Sequence, residues 1–283
     1  MGFLSWPYIE GSSGWGEITS MTSFCELDFY LTPYIAEFIN TATSLMYLYL
    51  GWRGIENTKR NGEDRIVILC YAMLACVGPG SMAYHTTLKY TGQMIDEFSM
   101  LYATSVILYA VLSVTLRPET RRFLGASVAC VAITASIVHS YYDHTPSFQL
   151  VFGAMICAVF CDCVWLVATK VKDRDAVKDM KRLALYGAVT FLGGYVLWNI
   201  DNCFCAELRG FRNAVGMPLG YLTELHGWWH IFTGLGVYYY VVFIEYLRLY
   251  VGSQGALLDE TLRRKKTAQV SIEDSIEKEK DST

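Results

Sequence analysis

Charge is what this sequence is short of. Asp, Glu, Lys and Arg make up 18% of its 283 residues, against about 25% in a typical soluble domain. The shortage is uneven, because charges collect in short connections and in the C-terminal region, with long uncharged runs between. That excludes an ordinary soluble domain and points to a membrane protein. No basic stripe with interleaved aromatics is present, so nucleic acid is not an expected partner. Residues 1–33 lack Lys, Arg and an apolar run, so they do not read as a signal peptide, and the N-terminus is expected to be retained. No Asn-x-Ser/Thr sequon offers an N-glycan as a marker of the lumenal side.

What is abundant is apolar sequence, at 53% hydrophobic and a mean hydropathy of +0.28. Seven stretches approach the ~20 residues that span a bilayer. They lie near 34–52, 66–85, 94–116, 122–141, 147–169, 183–201 and 221–247. Glu37 and Asn40 interrupt the first; Gly193, Gly194 and Asn199 interrupt the sixth. The expected fold is all-α, a polytopic seven-transmembrane helix bundle. Lys and Arg fall 20 on one side of this arrangement and 3 on the other, accounting for all 23. The positive-inside rule then puts the N-terminus in the lumen and the C-terminus in the cytosol. Three regions follow: a lumenal segment 1–33, the membrane domain 34–250, and a polar tail 251–283 whose composition predicts disorder. Of nine cysteines, Cys25, Cys203 and Cys205 fall in segments expected to be lumenal. An oxidising lumen would allow one disulfide there. Cys25 with Cys205 is favoured, and spacing leaves Cys203 open.

Histidine is scarce, at 5 residues, and its placement is informative. His226 and His230 are four residues apart at the start of the last span, so both imidazoles share one helix face and can reach one metal. The alternative is a pair of interfacial histidines beside the aromatic Trp228 and Trp229. His85 ends the second span, which the topology places on the same side. Three histidines leave a fourth zinc position open, the catalytic rather than the structural pattern. His139 and His144 are rival third ligands. Asp96 opens the third span and could take a proton from a water that the metal has acidified, or fix a ligand imidazole. Ser81, four residues before His85, could donate to a developing oxyanion, although back-bonding to its own helix is the commoner role of such a serine. Glu26, Asp28 and Glu37 repel one another unless a cation joins them, and hard oxygen ligands favour calcium. The spacing is not that of an EF-hand.

At these residues the chain resembles the alkaline ceramidases, in their fungal branch. The matching strings are WGEITS at 15–20, YIAEFINT at 34–41, MAYHTTLKY at 82–90, QMIDEFSMLY at 93–102, WNIDN at 198–202 and LHGWWHIFTGLG at 225–236. The resemblance runs from about residue 6 to 250. It implies a zinc-dependent amidase of the endoplasmic reticulum and/or Golgi membrane. Such an enzyme hydrolyses ceramide to a sphingoid base and a free fatty acid, with an alkaline optimum. It needs ceramide and a lipid bilayer and no obligate protein partner. Family zinc ligands fall on His85, His226 and His230, the catalytic Asp and Ser on Asp96 and Ser81, and the paired cysteines on Cys25 and Cys205. The family calcium site falls on Ser23, Phe24 through its carbonyl, Glu26, Asp28 and Glu37. Here the chain departs from the family. The family reads Asp-Trp-Cys-Glu-Glu-Asn where this chain reads Ser23-Phe24-Cys25-Glu26-Leu27-Asp28. A neutral residue replaces one charged ligand and a carboxylate replaces a neutral one. A seven-helix receptor of the same superfamily would not need Asp96. A zinc or proton transporter would spread its polar residues through the membrane depth, whereas these cluster at one level.

Overall fold

The computed structural model describes residues 8–62, 64–143 and 145–281, with side chains described as far as Ser253. Among these residues there are nine α-helices, one short 3-10 helix and no strand. The helices are α1 (Phe38–Thr43), α2 (Leu45–Asn61), α3 (Arg65–Thr87), α4 (Tyr90–Leu112), α5 (Pro118–Tyr142), α6 (Thr145–Lys170), α7 (Arg174–Cys203), α8 (Cys205–Val215) and α9 (Leu225–Asp281), with the 3-10 turn Leu219–Thr223 before α9. Among the described residues, five helices are long and apolar enough to cross a membrane: α3, α4, α5, α6 and α7.

The first expected span is divided. Ser44 separates α1 from α2 while keeping helical φ and ψ of −60° and −23°, and α2 then runs on past the expected boundary to Asn61. The sixth, interrupted by two glycines and an Asn, is instead one unbroken helix of 30 residues. Sequence reading gave no sign of α8, an amphipathic helix between α7 and α9. α9 runs on through the polar tail to Asp281. That stretch has no Pro and is rich in Ala, Leu, Glu, Lys and Arg, all good helix formers.

Local chemistry sets the helix ends. Asp64 caps α3 by accepting from Ile66 N at 2.9 Å, and Asp173 caps α7 by accepting from Asp175 N at 3.0 Å. Pro118 opens α5, where its missing N–H costs nothing. α7 packs most extensively on α9, α3 on α4, and α2 on α3. The core runs between them through Tyr71, Leu74, Leu101, Phe243, Ile244 and Leu247, all buried. α5 and α7 bury the smallest share of their length and present apolar side chains outward.

At one end of the bundle, Arg248 of α9 donates to Asp64 Oδ2 at 2.7 Å and to the Ala110 carbonyl at 3.1 Å. This ties α9 to the start of α3 and the end of α4. The opposite end is capped by the non-helical segment from residue 8 to Glu37. Its backbone is satisfied by the bundle it covers. Thr19 N and Ser20 N donate to Leu88 O, Ala36 N to Thr86 O, and Met21 N to the Gln93 side chain. Backbone polar groups covered by such packing need partners of this kind. Cys25 and Cys205 are joined by a disulfide across a Cα–Cα distance of 5.3 Å, which fastens this segment to α8.

Candidate metal centre

The C-terminal end of α3 and the N-terminal end of α9 meet beside α1, directly beneath the capping segment. His85, His226 and His230 are all buried there. One ligand atom of each lies within 4.8 Å of the others. The ring centroids are 4.7 Å apart for His226–His230, 4.9 Å for His85–His230 and 5.1 Å for His85–His226. Among the described residues this is the one group of His, Cys, Asp or Glu side chains gathered so closely. Close helix contact makes it. A Cβ on Gly227 would stand 2.7 Å from the Ile39 side chain, so only glycine lets the start of α9 lie against α1.

Two of the rings are oriented from behind. The Glu37 carboxylate hydrogen-bonds His85 Nδ1. His230 Nδ1 has the Asn40 carbonyl at 3.1 Å and the Thr43 hydroxyl at 3.0 Å. Occupying Nδ1 leaves Nε2 of each ring for a ligand, the arrangement that second-shell partners impose on metal-binding histidines. His226 Nδ1 is buried without any hydrogen-bond partner. A buried ring nitrogen without a partner is costly in a protein interior, and a metal ion would satisfy it. The residues present therefore fit a zinc ion.

Ser81 and Asp96, on α3 and α4, are both buried. They sit where α3 and α4 pack closely, since a Cβ on Gly80 would come within 3.3 Å of the Ile95 carbonyl. The Ser81 hydroxyl lies 2.9 Å from Ser44 Oγ, which in turn lies 3.4 Å from His230 Nδ1. The chain Ser81–Ser44–His230 thus joins the Ser81 hydroxyl to the histidine cluster. Phe24 closes the site from the capping segment, its ring 3.9 Å from His226 and 5.4 Å from His85.

The proposed rivals lie elsewhere. His139 is buried on α5 and pairs with Glu97 Oε2 at 2.5 Å, while Gln93 donates to the other oxygen of Glu97 at 2.9 Å. Glu97 thereby ties α4 to α5. His144 lies outside the described residues.

Of the residues of the expected calcium site, Glu37 lies within electrostatic reach of Glu26 and of Asp28. Glu26 accepts from Ile39 N at 2.7 Å and Asn40 N at 2.9 Å, so its carboxylate caps α1. The Phe24 carbonyl accepts from Arg209 at 3.3 Å. Ser23 is exposed. Glu37 keeps Oε1 buried without a partner. Burial, then the charges of Glu224 and Glu37, push Glu26 well above the usual carboxylate range. Burial, then Glu37 and Glu10, push Asp28 up to about 7, against the opposing pull of Arg209. A cation beside these carboxylates would relieve both effects.

Residues that spacing could not single out surround the site. Asn40, Thr43 and Ser44 all reach it from the junction of α1 and α2. Arg212, counted in the sequence only as a loop charge, is fully buried between Glu224 and Asp201.

A family model described as Ceramidase matches residues 16–265. The chain is 33% identical over 264 residues to the alkaline ceramidase YPC1 of Saccharomyces cerevisiae, covering 88% of this chain and 84% of that one. It is 30% identical over 243 residues to alkaline ceramidase 3 of Mus musculus, covering 86% of this chain and 89% of that one. It is 28% identical over 270 residues to a protein of Dictyostelium discoideum named as putative alkaline ceramidase dcd3A, covering 84% of this chain and 89% of that one.

Proposed function

The chain belongs to the ceramidase family, and we propose that it hydrolyses the amide bond of ceramide to release a sphingoid base and a free fatty acid. The observation that carries this reading is the buried His85–His226–His230 cluster, linked through Ser44 to Ser81, with Asp96 buried on the neighbouring helix. A receptor pocket would have no use for a carboxylate and a hydroxyl placed together beside a metal centre.

His85, His226 and His230 would hold zinc, which supplies Lewis acidity and makes water a stronger nucleophile at moderate pH. Asp96 accepts the proton of the attacking water and passes it to the amide nitrogen as the C–N bond breaks. Ser81 donates to the carbonyl oxygen as negative charge develops there. Glu37 and the Asn40 carbonyl keep two imidazoles in the tautomer that turns Nε2 inward. Phe24 and the capping segment keep bulk water out from one side. The same groups serve the reverse condensation where fatty acid is concentrated. Phytoceramide and dihydroceramide are the substrates we propose.

Calcium is proposed for Ser23, Phe24, Glu26, Asp28 and Glu37, supported by the partnerless Glu37 oxygen and the mutual repulsion of the three carboxylates. The bundle is proposed to cross the membrane seven times, with α1 and α2 as the first span and α9 as the last. Its N-terminus would be lumenal, its C-terminal tail cytosolic, and its membrane that of the endoplasmic reticulum and/or Golgi. The Lys and Arg bias and the lumen-compatible Cys25–Cys205 disulfide support this orientation.

The test is fatty-acid release by purified protein from a panel of ceramides, with metal analysis, before and after chelation. Turnover should fall with zinc content and return with added zinc. His226→Ala and Asp96→Ala should each abolish it, the first with loss of metal and the second without. Unchanged turnover in both variants would overturn the assignment.

A further inference from the structure

Ser44 lies at the junction of α1 and α2 and is fully buried. Its hydroxyl has three neighbours: the Asn40 carbonyl at 2.7 Å, Ser81 Oγ at 2.9 Å and His230 Nδ1 at 3.4 Å. A hydroxyl has one hydrogen to give and lone pairs to receive. The Asn40 carbonyl can only accept, and it already has His230 Nδ1 at 3.1 Å. Two arrangements are therefore open. In one, Ser44 donates to Asn40 and the Ser81 hydrogen rests on Ser44. In the other, Ser44 donates to Ser81, and the Ser81 hydrogen is free to point at Asp96 or at a substrate oxygen.

We propose that Ser44 is the positioning residue for Ser81, donating to Ser81 Oγ so that Ser81 delivers its own hydrogen to the reacting oxygen. This rests on the ceramidase reading above and goes beyond it. Negative charge growing on the substrate oxygen favours the second arrangement, because a hydroxyl that accepts a hydrogen bond becomes a stronger donor. Passing from one to the other takes only rotation of two hydroxyls. No heavy atom moves, which suits a buried, close-packed site.

The backbone is built for this contact. Ser44 is held where one helix ends and the next starts, at φ −60° and ψ −23°. A Cβ on Gly78 would come within 3.0 Å of the Ser44 carbonyl, so glycine there lets α3 press against the α1–α2 junction. Ser81 follows Gly78 by one turn and is thereby brought to Ser44. The competing role is purely structural: a serine that bonds back to the carbonyl four residues earlier in its own helix. That role involves Asn40 alone and predicts no link to Ser81.

The experiment uses purified full-length protein with ceramide as substrate. The variants are Ser44→Ala, Ser44→Thr, Ser81→Ala and the double Ser44→Ala/Ser81→Ala. Ser44→Ala should lower kcat by about tenfold with KM and zinc content unchanged, because the interaction is made in the transition state. Ser44→Thr, which keeps the hydroxyl, should restore most of the loss. In the Ser81→Ala background, Ser44→Ala should cost nothing further. Additive losses, wild-type kcat in Ser44→Ala, or loss of zinc from it would each overturn the proposal; zinc loss would mean that Ser44 acts through His230. A wild-type chain inert toward ceramide removes both this assignment and the ceramidase reading. An active wild type with additive variants removes this one alone.

Discussion

Replacing Arg212 with Met should strongly destabilise the protein without touching the histidine cluster. Arg212 is among the largest fully buried side chains. Its guanidinium pairs with Glu224 at 3.0 Å and Asp201 at 3.4 Å. It also donates to the Cys25 carbonyl at 3.0 Å and the Thr223 carbonyl at 2.5 Å. It therefore holds together the capping segment, the end of α7, α8 and the turn before α9. Met fills a similar volume but leaves two buried carboxylates without a counter-charge. Breaking a buried pair in this way costs about 3–5 kcal/mol. At roughly 2–4 °C per kcal/mol for a chain of this size, the thermal midpoint should fall by about 10 °C. The assay is tryptophan fluorescence of the detergent-purified protein on heating. Arg209→Met is the control, because Arg209 is only half-buried and donates to backbone carbonyls. It should cost far less. Adding Glu224→Gln to Arg212→Met should recover part of the loss, since one stranded charge is removed. A midpoint for Arg212→Met within about 2 °C of wild type would refute the account, since that is under ~1 kcal/mol.

Three further outcomes are expected. The Cys25–Cys205 disulfide closes a sequence separation of 180 residues, so its removal by Cys205→Ser should lower the thermal midpoint, with an entropic ceiling near ~5 kcal/mol; an unchanged midpoint, with reductant also inert on the wild type, would show that the link does not constrain the unfolded chain. Calcium should raise the wild-type midpoint, and Ser23→Asp, which adds a carboxylate, should bind calcium about tenfold more tightly through the added ligand charge; no shift with calcium in either protein would remove the site. Burial raises the Asp64 carboxyl, but its hydrogen bond and ion pair with Arg248 outweigh this and hold it below the usual range. Its contribution is thus present above the ordinary carboxylate pKa of about 3.9 and is lost as pH falls through the lower folded value. Asp64→Asn should accordingly destabilise the protein at pH 7 and make little difference at pH 2, and equal destabilisation at both would contradict the sign.

The membrane spans were legible where a helix needs nothing but its own apolar residues. α3, α4, α5, α6 and α7 each overlap an expected stretch, because length and hydropathy are local properties. The break at Ser44 was not legible. Phe38–Leu50 holds neither Pro nor Gly, and what marks the position is three-dimensional: Ser81 of α3 meets the Ser44 hydroxyl and His230 of α9 meets the Asn40 carbonyl. α8 escaped notice because an eleven-residue amphipathic helix carries no membrane-length signal.

The histidines were legible for a different reason: a metal-binding pair on one helix must be spaced by a turn, and such spacing is visible in the chain itself. Their partners were not, because a residue that orients a ring is chosen by three-dimensional reach. Glu37 shows the difference. In the sequence it is one of three acids near a cysteine, and reads only as a ligand for a hard cation. In the fold one of its oxygens holds His85 while the other is left buried without a partner, and its charge acts on both Glu26 and Asp28. A single carboxylate therefore couples to both the histidine cluster and the acidic segment. A charge change in the capping segment can reach the His85 ring through the Glu37 side chain and one hydrogen bond. The disulfide, Arg209 and Arg212 matter for the same reason, since they fix the segment on which that carboxylate depends.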